Sequence, residues 1–156
     1  RPTLASGAMA SLHGERTIEI DAPVERCYAI AADVQRAPEW QPAMRSLQVV
    51  ERDPAGRATL ADAEYDATVR TLRVRLRFAY DEPTSIRWEQ ERGDVKALHG
   101  GWRLEDLGGG RTRATYALEV DPGRMLGLLL RGPAEASVRD HLLGAADSLK
   151  AQAEGG

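Results

Sequence analysis

Apolar and polar residues alternate through the middle of the chain, and this alternation is typical of β-strands with one buried face. The clearest case is the segment RTLRVRLRFAYDEPTSIRWEQE, residues 70–91. From Leu72 to Tyr80 every second residue is apolar, and arginines fill three of the positions between them. Successive side chains of a strand point to opposite faces, so we expect the apolar set to face a core and the arginines to face water.

The alternation also sets the register of two predicted hairpins. Apolar residues should oppose apolar residues, which places Phe78 opposite Trp88 in the first hairpin and Trp102 opposite Tyr116 in the second. On the outer face the same registers bring opposite charges together, and such cross-strand pairs add modest stability. The further partners that these registers predict are Tyr80 with Ile86, Arg77 with Glu89, Arg75 with Glu91, Glu105 with Arg113, and His99 with Glu119.

The first forty residues contain one strand followed by helical signals. Arg16 to Ile20 alternates as a strand does, and Pro23 then opens a helix with apolar residues at helical spacing. The stretch Gln35–Pro38 either ends that helix or begins a second short one. Two more strands are predicted after Pro42, at residues 47–51 and 58–65, with the turn DPAGR between them.

The C-terminal quarter of the chain is predicted to be helical. Met125 to Leu130 is apolar with helical potential, and Gly132-Pro133 interrupts it. From Pro133 to Ala153 one apolar stripe recurs at the spacing of an amphipathic helix of about five turns. The stripe consists of Val138, Leu142, Ala145 and Leu149. The order is therefore strand, two short helices, six strands and a long C-terminal helix, an α+β arrangement.

Composition limits the classes of partner. A chain of 156 residues predicts a single domain, which we place at residues 13–154. We expect residues 1–12, which are small and irregular, to be a tag remnant or disordered. A net charge of -3, with glutamates beside the arginine stripe, gives no basic footprint for nucleic acid. No apolar run reaches the roughly 20 residues of an integral membrane span. The only cysteine, Cys27, excludes an internal disulfide and favours a cytoplasmic location.

Four segments resemble one protein family. They are IDAPVERCYAIAADVQRAPEW (residues 20–40), GGWRLED (100–106), GGGRTRATYALEV (108–120) and LLGAADSLKAQAE (142–154). These segments resemble the polyketide cyclase/dehydrase branch, also called SRPBCC proteins, of the START and birch-pollen-allergen superfamily. The resemblance covers residues 15–153. It implies a helix-grip fold, in which a curved antiparallel seven-stranded sheet wraps around the long C-terminal helix and leaves an apolar cavity between them.

The strand parity and the implied cavity together predict a ligand-binding surface. Trp40 stands between Pro38 and Pro42, a stiff segment that either lines the cavity rim or staples the short helix. Arg70, Gln90 and Arg92 share the inward parity near strand ends, where they either reach water or bind a carbonyl, enolate or carboxylate group. The predicted ligand-binding residues are Trp40, Arg70, Leu72, Val74, Leu76, Phe78, Tyr80, Trp88, Trp102, Tyr116 and Leu142.

Catalytic chemistry has weaker support in the sequence. His13, His99 and His141 lack the spacing of metal ligands, so we expect no metal and no cofactor. Cys27 occupies an apolar helical position and is expected to be a core residue. The nearest carboxylates are Asp62, Glu64 and Asp106, whose faces the sequence leaves open, so no catalytic residue is assigned.

Three functions are compatible with these observations. The first is binding of a small hydrophobic molecule, such as a lipid, a quinone or a polyketide-like ring, in the cavity. The alternative is a polyketide cyclase, aromatase or dehydratase that acts on a poly-carbonyl substrate there, with an Arg or Tyr stabilising an enolate. The third is a partner of another protein that uses Met125 to Leu130 as an exposed apolar patch. The sequence does not indicate the oligomeric state.

Overall fold

The computed structural model describes residues 12–155, which form an antiparallel sheet with all helices packed on one face. The fold is the predicted α+β helix-grip arrangement. The strands are β1 (Leu12–Ile20), β2 (Met44–Arg52), β3 (Ala58–Asp66), β4 (Thr71–Asp81), β5 (Ser85–Gly93), β6 (Ala97–Gly108) and β7 (Arg111–Asp121). The helices are α1 (Val24–Ala32), a 3₁₀ helix (Val34–Glu39), α2 (Arg124–Leu129), α3 (Pro133–Leu143) and α4 (Ala145–Gly155).

The strand order explains why the two short helices come early in the chain. The order in the seven-stranded sheet is β1-β7-β6-β5-β4-β3-β2, and every neighbouring pair is antiparallel. β1 and β2 therefore lie at opposite edges, and α1 with the 3₁₀ helix carries the chain from one edge to the other. From β2 onward the sheet is a meander, as the alternation predicts.

The first strand is longer than predicted. β1 begins at Leu12, four residues before Arg16, and Leu12 pairs with Val120 of β7 and is buried. Leu12 therefore belongs to the sheet and not to the terminal segment predicted at residues 1–12. The rest of that prediction, residues 1–11, lies outside the described residues.

The hairpin registers agree with the sequence analysis at their apolar positions. Phe78 lies opposite Trp88, and Trp102 lies opposite Tyr116. Tyr80 likewise pairs with Ile86. On the outer face of the second hairpin the predicted charge pairs are present, Glu105 with Arg113 at 3.0 Å and His99 with Glu119 at 3.2 Å.

A β-bulge changes the register in the first hairpin. Leu76 pairs with Gln90, but its neighbour Arg75 pairs with Arg92, so Glu91 is an extra residue in β5. A bulge of this kind shifts the strand by one position and reverses which face the following residues occupy. Alternation in β4 alone gives no sign of it.

The predicted register of Arg77 opposite Glu89 is confirmed, but the predicted ion pairs of the arginine stripe are wrong. Arg77 donates to Glu91 at 2.6 Å instead of meeting Glu89, although the backbones of Arg77 and Glu89 are paired. Arg75 instead donates to Asp62 on β3 at 2.8 Å. The stripe is charge-matched as expected, but β3 and the bulge provide the carboxylates.

The C-terminal helix is bent rather than straight. α3 ends at Leu143 and α4 begins at Ala145, while backbone hydrogen bonds continue through Gly144. The Gly144 N–H is shared between the carbonyls of Asp140 and His141, a local irregularity that glycine tolerates because it has no side chain. The predicted stripe Val138, Leu142, Ala145 and Leu149 is buried along its whole length.

The core lies between the sheet and these helices as one cluster. α3 packs on β1 and β7, and α4 packs on β1 and α1. Arg26 of α1 donates to the carbonyl of Ala153 at 2.7 Å, which joins the first and last helices. Along residues 12–155 we find no helix with the length and apolar character needed to span a membrane.

Candidate ligand-binding site on the helix side of the sheet

A continuous row of aromatic rings crosses the face of the sheet that the helices cover. Strand alternation directs five of the rings from β4, β5, β6 and β7 to that face, and the loop after the 3₁₀ helix adds the sixth. The centroid distances are 6.4 Å from Trp40 to Trp102, 4.7 Å from Trp102 to Tyr116, 5.7 Å from Tyr116 to Trp88, 6.2 Å from Trp88 to Phe78 and 6.4 Å from Phe78 to Tyr80. These separations lie in the range of attractive ring packing.

The rings in the middle of the row are buried, and those at its two ends are partly exposed. Trp102 and Tyr116 are each 2% exposed, whereas Trp40 and Tyr80 are only partly buried. The Tyr80 hydroxyl donates to the carbonyl of Ala58 at 2.6 Å, and the Arg57 guanidinium lies 4.9 Å from the centre of the Tyr80 ring. Both contacts fix the Tyr80 end of the row.

Two polar atoms on the inner side of β5 lack partners. Over residues 12–155, neither Nε1 of Trp88 nor Oε1 of Gln90 has a hydrogen-bond partner, and both atoms are out of contact with water. Gln90 uses its Nε2 to donate to the carbonyl of Val95 at 2.9 Å, which fixes the amide orientation. Unpaired buried polar groups are uncommon in native proteins, so each is a candidate ligand contact.

Two buried tyrosines add neutral hydroxyl groups. Burial raises the pKa of Tyr65 and of Tyr116, and the charge of an ionised Tyr65 would raise the pKa of Tyr116 further. Both hydroxyls therefore stay protonated at neutral pH. They can donate hydrogen bonds to a carbonyl or enolate oxygen but cannot act as bases.

Tyr65 is absent from the sequence-predicted set. It shares its parity in β3 with Ala61 and Ala63, which are also buried, so the alternation was available as a signal. The two alanines are too small to mark an inner face as clearly as the leucines of β4 do.

The carboxylates considered in the sequence analysis lie elsewhere. Asp62 and Glu64 bind Arg75 and Arg73 on the outer face at 2.8 and 3.0 Å. The hydrogen bond from Arg75 lowers the pKa of Asp62, so this group is ionised and engaged. Asp106 is exposed and accepts the N–H of Gly108 at 2.8 Å.

The predicted position of Arg70 on the inner face is wrong. β4 begins at Thr71, so Arg70 lies in the turn before it, exposed and 3.8 Å from Asp94. The alternation does not extend past the end of the strand, and the backbone turns there. Arg92 is also exposed because the bulge reverses its face, which leaves Gln90 as the inward polar residue of that group.

All other predicted site residues belong to the core cluster or pack against it. Trp40 and Tyr80 are partly buried members at its edge, and the remainder are buried. The buried ones are Leu72, Val74, Leu76, Phe78, Trp88, Trp102, Tyr116 and Leu142. Their contact with a ligand stays a prediction.

The segment predicted as an apolar patch is the short helix α2. Leu126 and Leu130 are buried, whereas Met125, Leu128 and Leu129 are 83, 58 and 56% exposed. Positive φ values of 84° at Gly123 and 62° at Gly132 bound the segment, a conformation that glycine adopts without strain. α2 follows β7, so it lies at the same end of the antiparallel sheet as the β3–β4 turn.

His141 on α3 reaches that same end. Its Nε2 lies 3.6 Å from Oδ2 of Asp66, the last residue of β3. Because α3 also packs on β1, it spans the space between the β1 edge and β3. The isolated position of His141 in the sequence gave no hint of this contact.

The outer face has depressions, of which one near Gly100 and Gly101 measures about 540 Å³. Charged side chains of both signs surround it, including Arg87, Arg103 and Glu119. It is a shallow, solvated surface and offers less apolar contact than the aromatic row. In the described part of the chain, no group of three or more His, Cys, Asp or Glu side chains is arranged to hold a metal ion.

Sequence comparison identifies one family. The family model described as "Polyketide cyclase / dehydrase and lipid transport" matches residues 20–146. That range includes all six rings of the aromatic row. No curated protein sequence matches the chain.

Solved structures with the same fold cover most of the chain. A START superfamily protein from Mycobacterium smegmatis has a TM-score of 0.78 at 19% identity, over 92% of this chain and 97% of that one. The Zhui aromatase/cyclase from Streptomyces sp. R1128 has 0.77 at 19%, over 92 and 94%. A protein from Thermus thermophilus has 0.75 at 23%, over 92 and 96%. At these identities the similarity establishes the fold alone.

Proposed function

The chain belongs to the polyketide cyclase / dehydrase and lipid transport family, and from this premise we propose that it binds a small hydrophobic molecule between the sheet and the C-terminal helical segment. The ligand is of the lipid, quinone or polyketide-like class. The observation that carries the proposal is the aromatic row, whose members are linked at 4.7–6.4 Å. Stacked and tilted rings provide broad apolar contact for a flat guest.

The chemistry of the inner face favours binding over catalysis. The ionisable members of the aromatic row are Tyr80 and Tyr116, and burial raises the pKa of both. The candidate carboxylates are engaged on the outer face or exposed. General base catalysis needs a group that accepts a proton near the operating pH, and neither tyrosine does so.

We place the entry of the ligand at α2, the helix that buries little apolar surface. This helix has six residues, and among them only Leu126 is buried. A segment that buries so little apolar surface opens at low free-energy cost compared with a sheet strand. Glycines at both ends provide backbone freedom for the movement.

The binding experiment uses the three tryptophans of the chain, Trp40, Trp88 and Trp102, because all belong to the row. Protein labelled with ¹⁵N-tryptophan is titrated with palmitic acid, ubiquinone-1 and 9-fluorenone in separate series. We expect at least one probe to shift the indole resonances with saturation at one equivalent. Equilibrium dialysis provides the stoichiometry. Absence of saturable binding by all three probes would contradict the proposal.

A second candidate, a cyclase, aromatase or dehydratase, is favoured by one observation. Tyr65 and Tyr116 are both buried on the inner face and keep neutral hydroxyl donors there, which could stabilise an enolate. The test uses 2,4,6-heptanetrione, which cyclises to 2,6-dimethyl-4-pyranone with loss of one water. Acceleration by the protein that Tyr116→Phe abolishes would favour the enzyme, and a rate equal to that of buffer would favour a binding protein.

A further inference from the structure

We propose that the inner site selects ligands that carry a carbonyl oxygen, and that the indole N–H of Trp88 is the group that recognises it. This inference rests on the proposed binding function and makes it more specific. The ligand class is a planar, apolar ring system with a hydrogen-bond acceptor, as opposed to a hydrocarbon of the same shape.

The indole N–H of Trp88 is a buried donor without an acceptor in the segment that the structure describes. Trp88 is 7% exposed, and its Nε1 has no acceptor among residues 12–155 and no contact with water. Tryptophan normally finds a partner for this N–H when it is buried. A buried donor without an acceptor carries a desolvation cost, which a ligand oxygen would remove.

The two aromatic rings beside the indole are weak acceptors. The ring of Tyr116 is 5.7 Å away and tilted by 39°, and that of Phe78 is 6.2 Å away and tilted by 51°. Contacts of an N–H with such rings are weaker than a bond to a carbonyl oxygen. The aromatic neighbours therefore leave the donor without a strong acceptor.

The backbone of β6 makes room for the polar edge of the Trp88 indole. Gly100 lies opposite Trp88 in β6, and a Cβ built on it would be 2.9 Å from Nε1. Any larger residue at Gly100 would displace the indole. The polar edge of Trp88 is thus held on the inner face, where a side chain at position 100 would otherwise project.

Gln90 contrasts with Trp88 and is left out of the proposed contact. Its Nε2 is bound to the carbonyl of Val95, and its Oε1 is next to Gly93, where a Cβ would be 2.6 Å away. The amide is held against the β5–β6 turn. Because Nε1 of Trp88 is buried in the free protein, the groups around it must move for a ligand oxygen to reach it.

The experiment compares 9-fluorenone with fluorene, which have the same ring framework and differ by the carbonyl oxygen. Equilibrium dialysis measures both affinities for the full chain. We expect fluorenone to bind about fivefold more tightly, the ratio that one net neutral hydrogen bond provides. In ¹⁵N-tryptophan spectra, fluorenone should move the Trp88 indole proton downfield, and fluorene should not.

Two matched variants identify the donor. Trp88→Phe keeps an aromatic ring but removes the N–H, and it should reduce the fluorenone preference to about one. Tyr28→Phe removes a donor that lies outside the row and is bound to the carbonyl of Ser85 at 3.1 Å, and it should retain the preference. If Trp88→Phe does not fold, the Trp88 resonance is assigned by elimination with Trp40→Phe and Trp102→Phe, and the downfield shift in the native chain decides.

The outcomes separate the two proposals. If neither probe binds and the lipid and quinone probes also fail, the binding function itself is overturned. If both probes bind with equal affinity and no downfield shift, binding stands and recognition by Trp88 is overturned. A fluorenone preference that survives Trp88→Phe would assign the contact to another donor and overturn the inference in the same way.

Discussion

Gly100 of β6 lies directly opposite Trp88 of β5, and the indole of Trp88 occupies the space that a side chain at position 100 would need. A Cβ on Gly100 would also lie 2.7 Å from the backbone oxygen of Ala117. Glycine is therefore required here by a close approach of side chain and backbone, not by an unusual φ. This contact aligns the middle of the aromatic row.

Substitution of this glycine should be costly. We expect Gly100→Ala to lower the free energy of unfolding by about 1–3 kcal/mol, because the backbone oxygen of Ala117 cannot move without distorting β7. Urea denaturation provides the measurement. Gly127→Ala in α2 is the control, since its nearest contact would be Pro122 at 3.7 Å, and it should be neutral or stabilising. Equal losses in the two variants would contradict the packing argument.

Truncation of the buried Leu76 should lower the free energy of unfolding much more than truncation of the exposed Leu128. Leu76→Ala should cost about 2–5 kcal/mol of unfolding free energy, because it leaves a cavity in a fully buried position. Leu128→Ala, at a residue that is 58% exposed, should change it by less than about 0.5 kcal/mol. Chemical denaturation of both variants checks the assignment of faces. A small effect at Leu76 would mean that the inner face is wrongly placed.

The buried tyrosines predict a loss of stability at alkaline pH. Burial raises the pKa of Tyr80 from 10.0 to about 12, and it also raises the pKa values of Tyr65 and Tyr116. The folded state holds these protons more tightly than the unfolded state, so the stabilisation is complete below about pH 10 and is lost as the pH rises toward 12. Urea midpoints from pH 8 to 11, with tyrosinate absorbance, provide the measurement.

One variant separates the contribution of the tyrosines to the loss of stability at alkaline pH from that of the lysines. Tyr116→Phe removes one buried titrating hydroxyl and should make the decrease in unfolding free energy above about pH 10 shallower. An unchanged slope would show that Tyr116 titrates normally in the folded protein and is therefore not buried as described.

The few buried side chains of α2 predict fast amide exchange. In hydrogen–deuterium exchange, amides of residues 125–130 should exchange well before those of β6 and β7, whose ladders are paired on both sides. A saturating probe that enters at α2 should slow the α2 exchange. Protection of α2 equal to that of β6 in the free protein would contradict entry at this segment.

The sequence by itself determined the element order, the inner face of β4 and the apolar pairs of the two hairpins. These follow from a period of two and from the rule that apolar residues oppose apolar residues, so Phe78 and Trp88 could be paired without coordinates. The same reasoning placed Leu72, Val74 and Leu76 correctly in the core. Local pattern was sufficient because each strand continues for several residues without interruption.

Only the tertiary structure determined the side-chain directions and contacts of residues that lie beyond the regularly alternating segments. Arg70 lies one residue before β4, and Arg92 follows Glu91, the extra residue of a bulge, so the parity that assigned the faces of the two arginines does not apply. The bend at Gly144 and the contact of His141 with Asp66 depend on how α3 crosses to the far side of the sheet. The unpaired N–H of Trp88 is also a tertiary fact, because only the folded arrangement determines which acceptors lie within reach of a buried donor.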